Sequence, residues 1–200
     1  LLGMPGGVLV NFILAIAVYA GILAKWGENY ISNEGNAIYV NELAYDMGFR
    51  NGDQILMFDD YVPENFGMLQ ADLARQSVKK ATVLRDGDTL NIYIDQNRIG
   101  EILQNPGMFD LAVPFIVAEV SETSPNKALD IQTGDRIVNI AGTETEFLQD
   151  ARPILMEHAG DTVVTTLTRG TDSLALTVQV DTAGTIGVFL QRPAIKTKEY

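Results

Sequence analysis

The segment MGFRNGDQILMFDD (47 to 60) returns in outline as LDIQTGDRIVNIAG (129 to 142), with Gly52-Asp53 matched by Gly134-Asp135 and Ile55 by Ile137. Downstream of each copy the apolar residues fall at helical spacing: Phe66, Leu69, Leu73 and Ala74 in the first, Phe147, Leu148, Ala151, Ile154 and Leu155 in the second. Each helical pattern is followed by an alternating pair of runs. ATVLRDGDTLNIYID turns at Asp86-Gly87 and sets Leu90, Ile92 and Ile94 on one face; TTLTRGTDSLALTVQVD turns around Gly170 and alternates Leu174, Leu176, Val178 and Val180. One Gly-Asp turn carries little information, but the same order of strand, short helix, Gly-Asp turn, strand, helix and hairpin read twice marks a duplication. The chain is therefore expected to be α+β, in two units of roughly 80 residues split near 106 to 112. In the repeated turn a short helix ends, a left-handed glycine caps it, and Gly-Asp turns the chain into a core strand. Gly48 suits that cap, Asp130 stands in its place in the second copy, and Pro153 is expected to bend the second long helix or to mark a late start.

Ahead of the repeat, residues 3 to 26 read GMPGGVLVNFILAIAVYAGILAKW, uncharged until Lys25 and, Tyr19 aside, with one strongly polar side chain, Asn11. As a helix, Met4 to Ala24 would be roughly 30 Å long, about the thickness of a bilayer's hydrocarbon layer. Lys25 and Trp26 suit the headgroup level that follows. A cleaved signal peptide needs a basic stretch first, and residues 1 to 7 carry none. A transmembrane helix is the expectation. Asn11 then needs a polar partner, from another helix or a site, and Gly6 and Gly7 would allow a second helix close approach.

The net charge of -12 excludes nucleic acid as an expected partner, since phosphate binding demands clustered Lys and Arg. There is no cysteine, hence no disulfide framework, and the single histidine, His158, leaves too few imidazoles for an ordinary zinc site within the chain. His158 reads as a helix-end residue, and Asp86, Asp88 and Asp95 as a solvated turn rather than a calcium loop.

The repeated residues resemble PDZ domains of the bacterial, circularly permuted kind, whose pattern runs Ser-Pro-Ala, then Ala-Gly-Leu, then Gly-Asp and an aliphatic strand. The second copy has Ser124-Pro125, Ile131, Gly134-Asp135 and Ile137-Val138; the first has Ala44, Gly48-Phe49, Gly52-Asp53 and Ile55-Leu56. The resemblance implies two tandem small β-barrels or sandwiches with two helices each. Residues 1–31 would form the membrane helix and juxtamembrane segment, 32–108 the first PDZ-like unit and 109–200 the second. It also implies recognition of peptide C-termini as an added strand, the carboxylate being held by backbone N–H groups of an X-aliphatic-Gly-aliphatic loop. Thr185, Ile186, Gly187 and Val188 fit that loop, and Phe189 continues it as the accepting strand. In the first unit the corresponding place is expected near Phe109-Asp110-Leu111-Ala112, without the glycine and with an acid that would repel a carboxylate.

A membrane helix joined to two such units is similar to the middle of a site-2 protease, an intramembrane zinc metalloprotease, in its RseP-like bacterial branch. There the helix before the tandem carries Gly-x-x-x-Asn close to the active site, matched here by Gly7 and Asn11. The resemblance implies zinc in the full-length enzyme, held by His-Glu-x-x-His and an Asp on helices outside this chain, with no zinc bound and no catalytic residue supplied by the chain itself. It further implies a bacterial inner-membrane protein with the tandem on the periplasmic side, gating or docking transmembrane substrates such as an anti-sigma factor. The other reading is a membrane-tethered peptide-binding module without protease activity, of a secretion or HtrA-like quality-control kind.

Overall fold

The computed structural model describes residues 4–26 and 28–198. The order is α1 (Met4–Trp26), β1 (Glu28–Ile31), β2 (Ala37–Val40), α2 (Glu42–Asp46), β3 (Gln54–Phe58), α3 (Leu69–Arg75), β4 (Lys80–Arg85), β5 (Asp88–Tyr93), α4 (Ile99–Gln104) and β6 (Phe109–Ala112). It continues with β7 (Val117–Val120), β8 (Arg136–Ile140), β9 (Thr143–Glu144), α5 (Leu148–Glu157), β10 (Thr162–Arg169), β11 (Asp172–Gln179), β12 (Val188–Leu190) and β13 (Ile195–Lys198).

The duplication has a physical counterpart in the strand pairing. In the first half β3, β4 and β5 form an antiparallel sheet and β2 pairs with β6; in the second, β8 lies between β9 and β10, β11 flanks β10, and β7 pairs with β12. Local sequence explains the tight turns. Asp86 and Gly87 both have positive φ (52° and 88°), the conformation that lets a two-residue hairpin follow the strand twist, so Arg85 faces Asp88 across the ladder. Asn41 caps α2, its side chain accepting the Ala44 N–H at 3.0 Å, and Gly48 takes the left-handed cap (φ 103°). Asp130, in the matching place, is not left-handed.

Each half buries its own core. Ile38, Phe49, Ile55, Phe58, Leu69, Leu73 and Ile102 anchor one, and Phe115, Val117, Ile137, Ile140, Ala151, Leu155 and Leu167 the other. The expected helix faces hold, with Phe66, Leu69, Leu73 and Ala74 buried in one copy and Phe147, Ala151 and Leu155 in the other.

Three expectations are corrected. A boundary at 108/109 would cut through the first unit, because β6 pairs with β2 from Val40↔Phe109 to Ala37↔Ala112 and so closes that unit. The short helix expected before the second Gly-Asp turn is replaced by consecutive turns over residues 122–129, where the Ser124 hydroxyl accepts the Asn126 N–H at 3.1 Å and competes with helix formation. Pro153 does not mark a late start of α5, which begins five residues earlier at Leu148.

The aspartate of each Gly-Asp turn has a structural role that its burial makes costly to leave unpaired. Asp53 and Asp135 are both fully buried. Arg85 donates to Asp53 at 2.7 and 2.8 Å, and Arg169 donates to Asp135 at 2.8 and 2.9 Å. The Arg50 and Gln132 N–H groups add one bond each, at 2.9 and 2.8 Å. Two-pronged pairing with a planar guanidinium suits a carboxylate withdrawn from water.

The halves meet through α5. Tyr39 on β2 packs edge-on against Phe147, and its hydroxyl donates to Asp150 at 2.9 Å. Burial first, and Asp150 second, raise the Tyr39 phenol above its ordinary range. Leu148 N–H donates to Val113 O at 2.8 Å, while the Gln149 side chain donates to Leu111 O and accepts from Val113 N–H. Beyond β12 the chain returns to the first half, where β13 pairs with β1 from Glu28↔Lys198 to Ile31↔Ile195.

Around α1 the apolar side chains from Val8 to Ile22 stand 45 to 72% exposed. Among the described residues no helix is long and apolar enough to cross a membrane. The expected transmembrane helix is therefore not met by the fold itself.

A candidate peptide-binding groove

In the second half a groove of ≈ 230 Å³ runs between α5 and the chain leading into β12, lined by Phe115, Leu148, Arg152 and Leu155 on one side and Gly184, Thr185, Ile186, Val188 and Leu190 on the other. Its floor is apolar, and Arg152 is its one charged lining residue. β12 pairs with β7 along one edge only.

The backbone of that edge follows from the ladder. Gly187 O accepts from Ser121 N–H at 2.9 Å, and Gln191 N–H donates to Ile116 O at 3.0 Å. Because successive residues of a strand direct their N–H and C=O groups to opposite edges, Val188 and Leu190 present theirs toward α5. The groove thus has a row of main-chain donors and acceptors on one wall and apolar side chains on the other.

The loop before β12 is held from behind. The Ser124 hydroxyl donates to Ile186 O at 3.1 Å, and the Asn126 amide donates to the same oxygen at 3.0 Å. In a trans peptide the Gly187 N–H opposes the Ile186 C=O, so fixing the carbonyl against Ser124 and Asn126 turns that N–H into the groove. Asp181 closes the loop, accepting from the Thr185 N–H (2.8 Å), the Thr185 hydroxyl (2.7 Å) and the Ala183 N–H (2.9 Å). The Thr185 hydroxyl, first among these donors, holds the Asp181 carboxyl below the usual carboxylate range. Gly184, with φ 70°, lies where a Cβ would come within 3.1 Å of Met156 Cα, so the loop packs directly on the end of α5.

Thr185, Ile186 and Val188 line the groove. Gly187 is needed for a different reason from the one expected. At φ 68° its missing Cβ would face Ser124, 2.6 Å from that residue's Cβ, rather than the incoming ligand. Phe189 does not belong to the groove: its backbone pairs with Glu119 of β7 and its ring is 60% exposed on another face. Asn126 and Arg152 escape a sequence reading, because an asparagine after Ser-Pro reads as an ordinary turn residue and an arginine within an amphipathic helix as a solvated one. Gly7 and Asn11 lie on α1, far along the chain from this groove, and a Cβ at Gly7 would meet nothing within 4 Å. His158 is the C-cap of α5. Among the described residues no group of three or more His, Cys, Asp or Glu could hold a metal ion.

No family model matches the chain. Among solved structures, the chain is similar to the PDZ domain of an SdrC-like protein from Listeria monocytogenes, at 25% identity over 38% of this chain and 84% of that one, with a TM-score of 0.33. The assignment of the groove rests on the strand order, the registers and the loop geometry above.

Proposed function

We propose that the chain is a peptide-binding tandem in which the second unit takes the C-terminus of an extended peptide between β12 and α5. The observation that carries this reading is the coincidence of a one-sided strand edge, an apolar facing helix and a loop whose Gly187 N–H is turned inward by Ser124 and Asn126. A peptide adding as a strand gains main-chain bonds along β12, while its terminal side chain enters the apolar pocket. Among the described residues no carboxylate forms an ion pair with Arg152, so an acidic residue shortly before the apolar terminus is favoured. Titration of free-acid and amidated peptides decides it. Free acids should bind at roughly micromolar to millimolar Kd, about 4 to 8 kcal/mol, and amidated ones much more weakly. Arg152→Glu should reduce the preference for acidic peptides by roughly threefold to tenfold, the scale of an exposed charge pair reversed in sign. Equal binding of acids and amides would sink the reading.

The finer proposal is that this tandem belongs to a site-2-type intramembrane zinc protease of the bacterial inner membrane. It would act there on the periplasmic side as a filter or dock for transmembrane substrates such as a trimmed anti-sigma factor. The exposed apolar side chains of α1 need hydrocarbon or protein around them in either reading. One observation favours the protease over a free-standing tethered module. The pairing of Glu28 with Lys198 brings the end of the tandem back beside the end of α1, as an insert between two membrane-embedded segments requires. Zinc and its ligands would lie on those flanking segments, with Gly7 and Asn11 facing them. The full chain should need detergent, whereas a chain starting at Glu28, which keeps β1 beside β13, should be monodisperse without it by size-exclusion chromatography. A detergent-free, monodisperse full chain would remove α1 from the membrane. In the membrane-inserted protease, Asn11→Leu should abolish cleavage while leaving insertion intact; unchanged cleavage would return Asn11 to ordinary helix packing.

A further inference from the structure

We propose that the first unit contains the same backbone cradle, converted from a carboxylate site to a carboxamide site and filled by the chain's own Gln70, so that the tandem accepts one peptide terminus rather than two. The valency rests on the peptide reading of the second groove; the filled cradle stands on its own hydrogen bonds.

The equivalence follows from register. The Ile38 N–H donates to Asp53 O and the Val117 N–H to Asp135 O, both at 2.9 Å, so these residues match. Two residues further on, Val40 faces Phe109 and Glu119 faces Phe189. Counting back from those phenylalanines, Gly107 takes the place of Gly187, and Met108 that of Val188. Both glycines are left-handed, with φ 82° and 68°. The glycine expected to be missing from the first unit is thus present, two residues before Phe109 in Asn105-Pro106-Gly107-Met108.

What differs is the occupant. Gln70 on the first turn of α3 reaches across, and its Oε1 accepts from the Gly107 and Met108 N–H groups, both at 3.1 Å. Its Nε2 donates to Ile102 O at 2.6 Å and Asn105 O at 2.7 Å. Only this orientation of the amide satisfies all four partners. A carboxylate in the same place would turn its second oxygen onto two carbonyl oxygens, an arrangement with no donor between them. The cradle therefore selects a primary carboxamide. α4, which the second unit lacks, supplies the Ile102 carbonyl and buries the Ile102 side chain completely in the first core, closing the groove over Gln70.

The test uses the full chain, labelled with ¹⁵N, in detergent. In the wild type, the Gly107 and Met108 amides should exchange with solvent at least roughly tenfold more slowly than that of Gly187, the scale of a retained hydrogen bond. Addition of a free-acid peptide should shift Gly187 and Val188 but neither Gly107 nor Met108, with one equivalent bound. Gln70→Ala removes the equivalent of one acetamide molecule. Exchange at Gly107 and Met108 should then quicken, and added acetamide should slow it again where acetate at the same concentration does not. Gln70→Glu gives an independent arm should Gln70→Ala fold poorly. Its carboxylate faces two carbonyls, so its folded pKa rises; melting should be near wild type below pH ~4, the unfolded value, and fall as pH rises through the folded value. Rescue by acetate, a second peptide equivalent, or unprotected Gly107 and Met108 amides in the wild type would each overturn the proposal. Protected amides with no peptide bound anywhere would overturn the peptide reading and leave the filled cradle standing.

Discussion

Replacing Arg169 by methionine is expected to destabilise the second unit at neutral pH, because it strands the buried Asp135 carboxylate. Asp135 has no solvent exposure, and Arg169 supplies two of its three hydrogen bonds, leaving only the Gln132 N–H in the variant. Methionine keeps much of the packing of the arginine stem, while the variant also loses the bonds from Arg169 to the exposed Asp130 carboxylate (3.1 Å) and the Asp130 carbonyl (2.9 Å). The pH dependence should reverse. In the wild type the hydrogen bonds from Arg169, ahead of the backbone bond from Gln132, hold the Asp135 carboxyl below the usual range despite its burial. That stabilisation is present above the unfolded pKa of about 3.9 and is lost as pH falls through the folded value. In Arg169→Met, burial without a partner raises the folded pKa instead, so stability should recover as pH falls toward ~4. Urea midpoints at pH 7 and near pH 4.5 measure both effects. A loss below about 1 kcal/mol, or one identical at the two pH values, would show that the carboxylate is not stranded. Arg85→Met should likewise destabilise the first unit at neutral pH, because Arg85 and Asp53 have the same two-pronged geometry.

Gly187→Val should abolish measurable peptide binding through the loop rather than through a blocked groove. A left-handed φ costs a β-branched residue roughly 1–2 kcal/mol or more, and the new Cβ would come 2.6 Å from Ser124 Cβ, a separation that must be relieved by movement. Moving the loop off Ser124 releases the Ile186 carbonyl and with it the direction of the Gly187 N–H. The thermal transition should fall while the far-UV spectrum of the folded state is kept, and free-acid peptide affinity should drop by at least about tenfold. Ser124→Ala, which removes the hydroxyl but leaves Asn126 on the Ile186 carbonyl, should weaken binding only in part. Wild-type affinity in Gly187→Val would show that the loop N–H groups do not take the carboxylate.

The duplication was legible in the sequence because it is carried by local chemistry. Gly-Asp turns, the Asp86-Gly87 hairpin and the apolar spacing of Leu69, Leu73, Ala151 and Leu155 act over a few residues, and each is met where expected. Thr185, Ile186 and Val188 line a groove of the second unit. Other features depend on partners far away in the chain. Asp53 and Asp135 look like turn residues until Arg85 and Arg169, 32 and 34 positions on, arrive beside them. Phe189 matches the accepting strand in order, yet a strand's alternation against β7 sends it to the other side. Gly107 was hidden because matching the two copies requires the pairing of Val40 with Phe109, and register is set by which faces are buried rather than by sequence alignment. Gln70 and Gly107 are 37 residues apart, and only the closure of α3 and α4 over β6 makes that glutamine the resident of the first cradle. The sequence alone determined the repeated units and their turns; the tertiary structure decided that Gln70 bonds the Gly107 and Met108 N–H groups, because those hydrogen bonds join side chain and backbone across the fold.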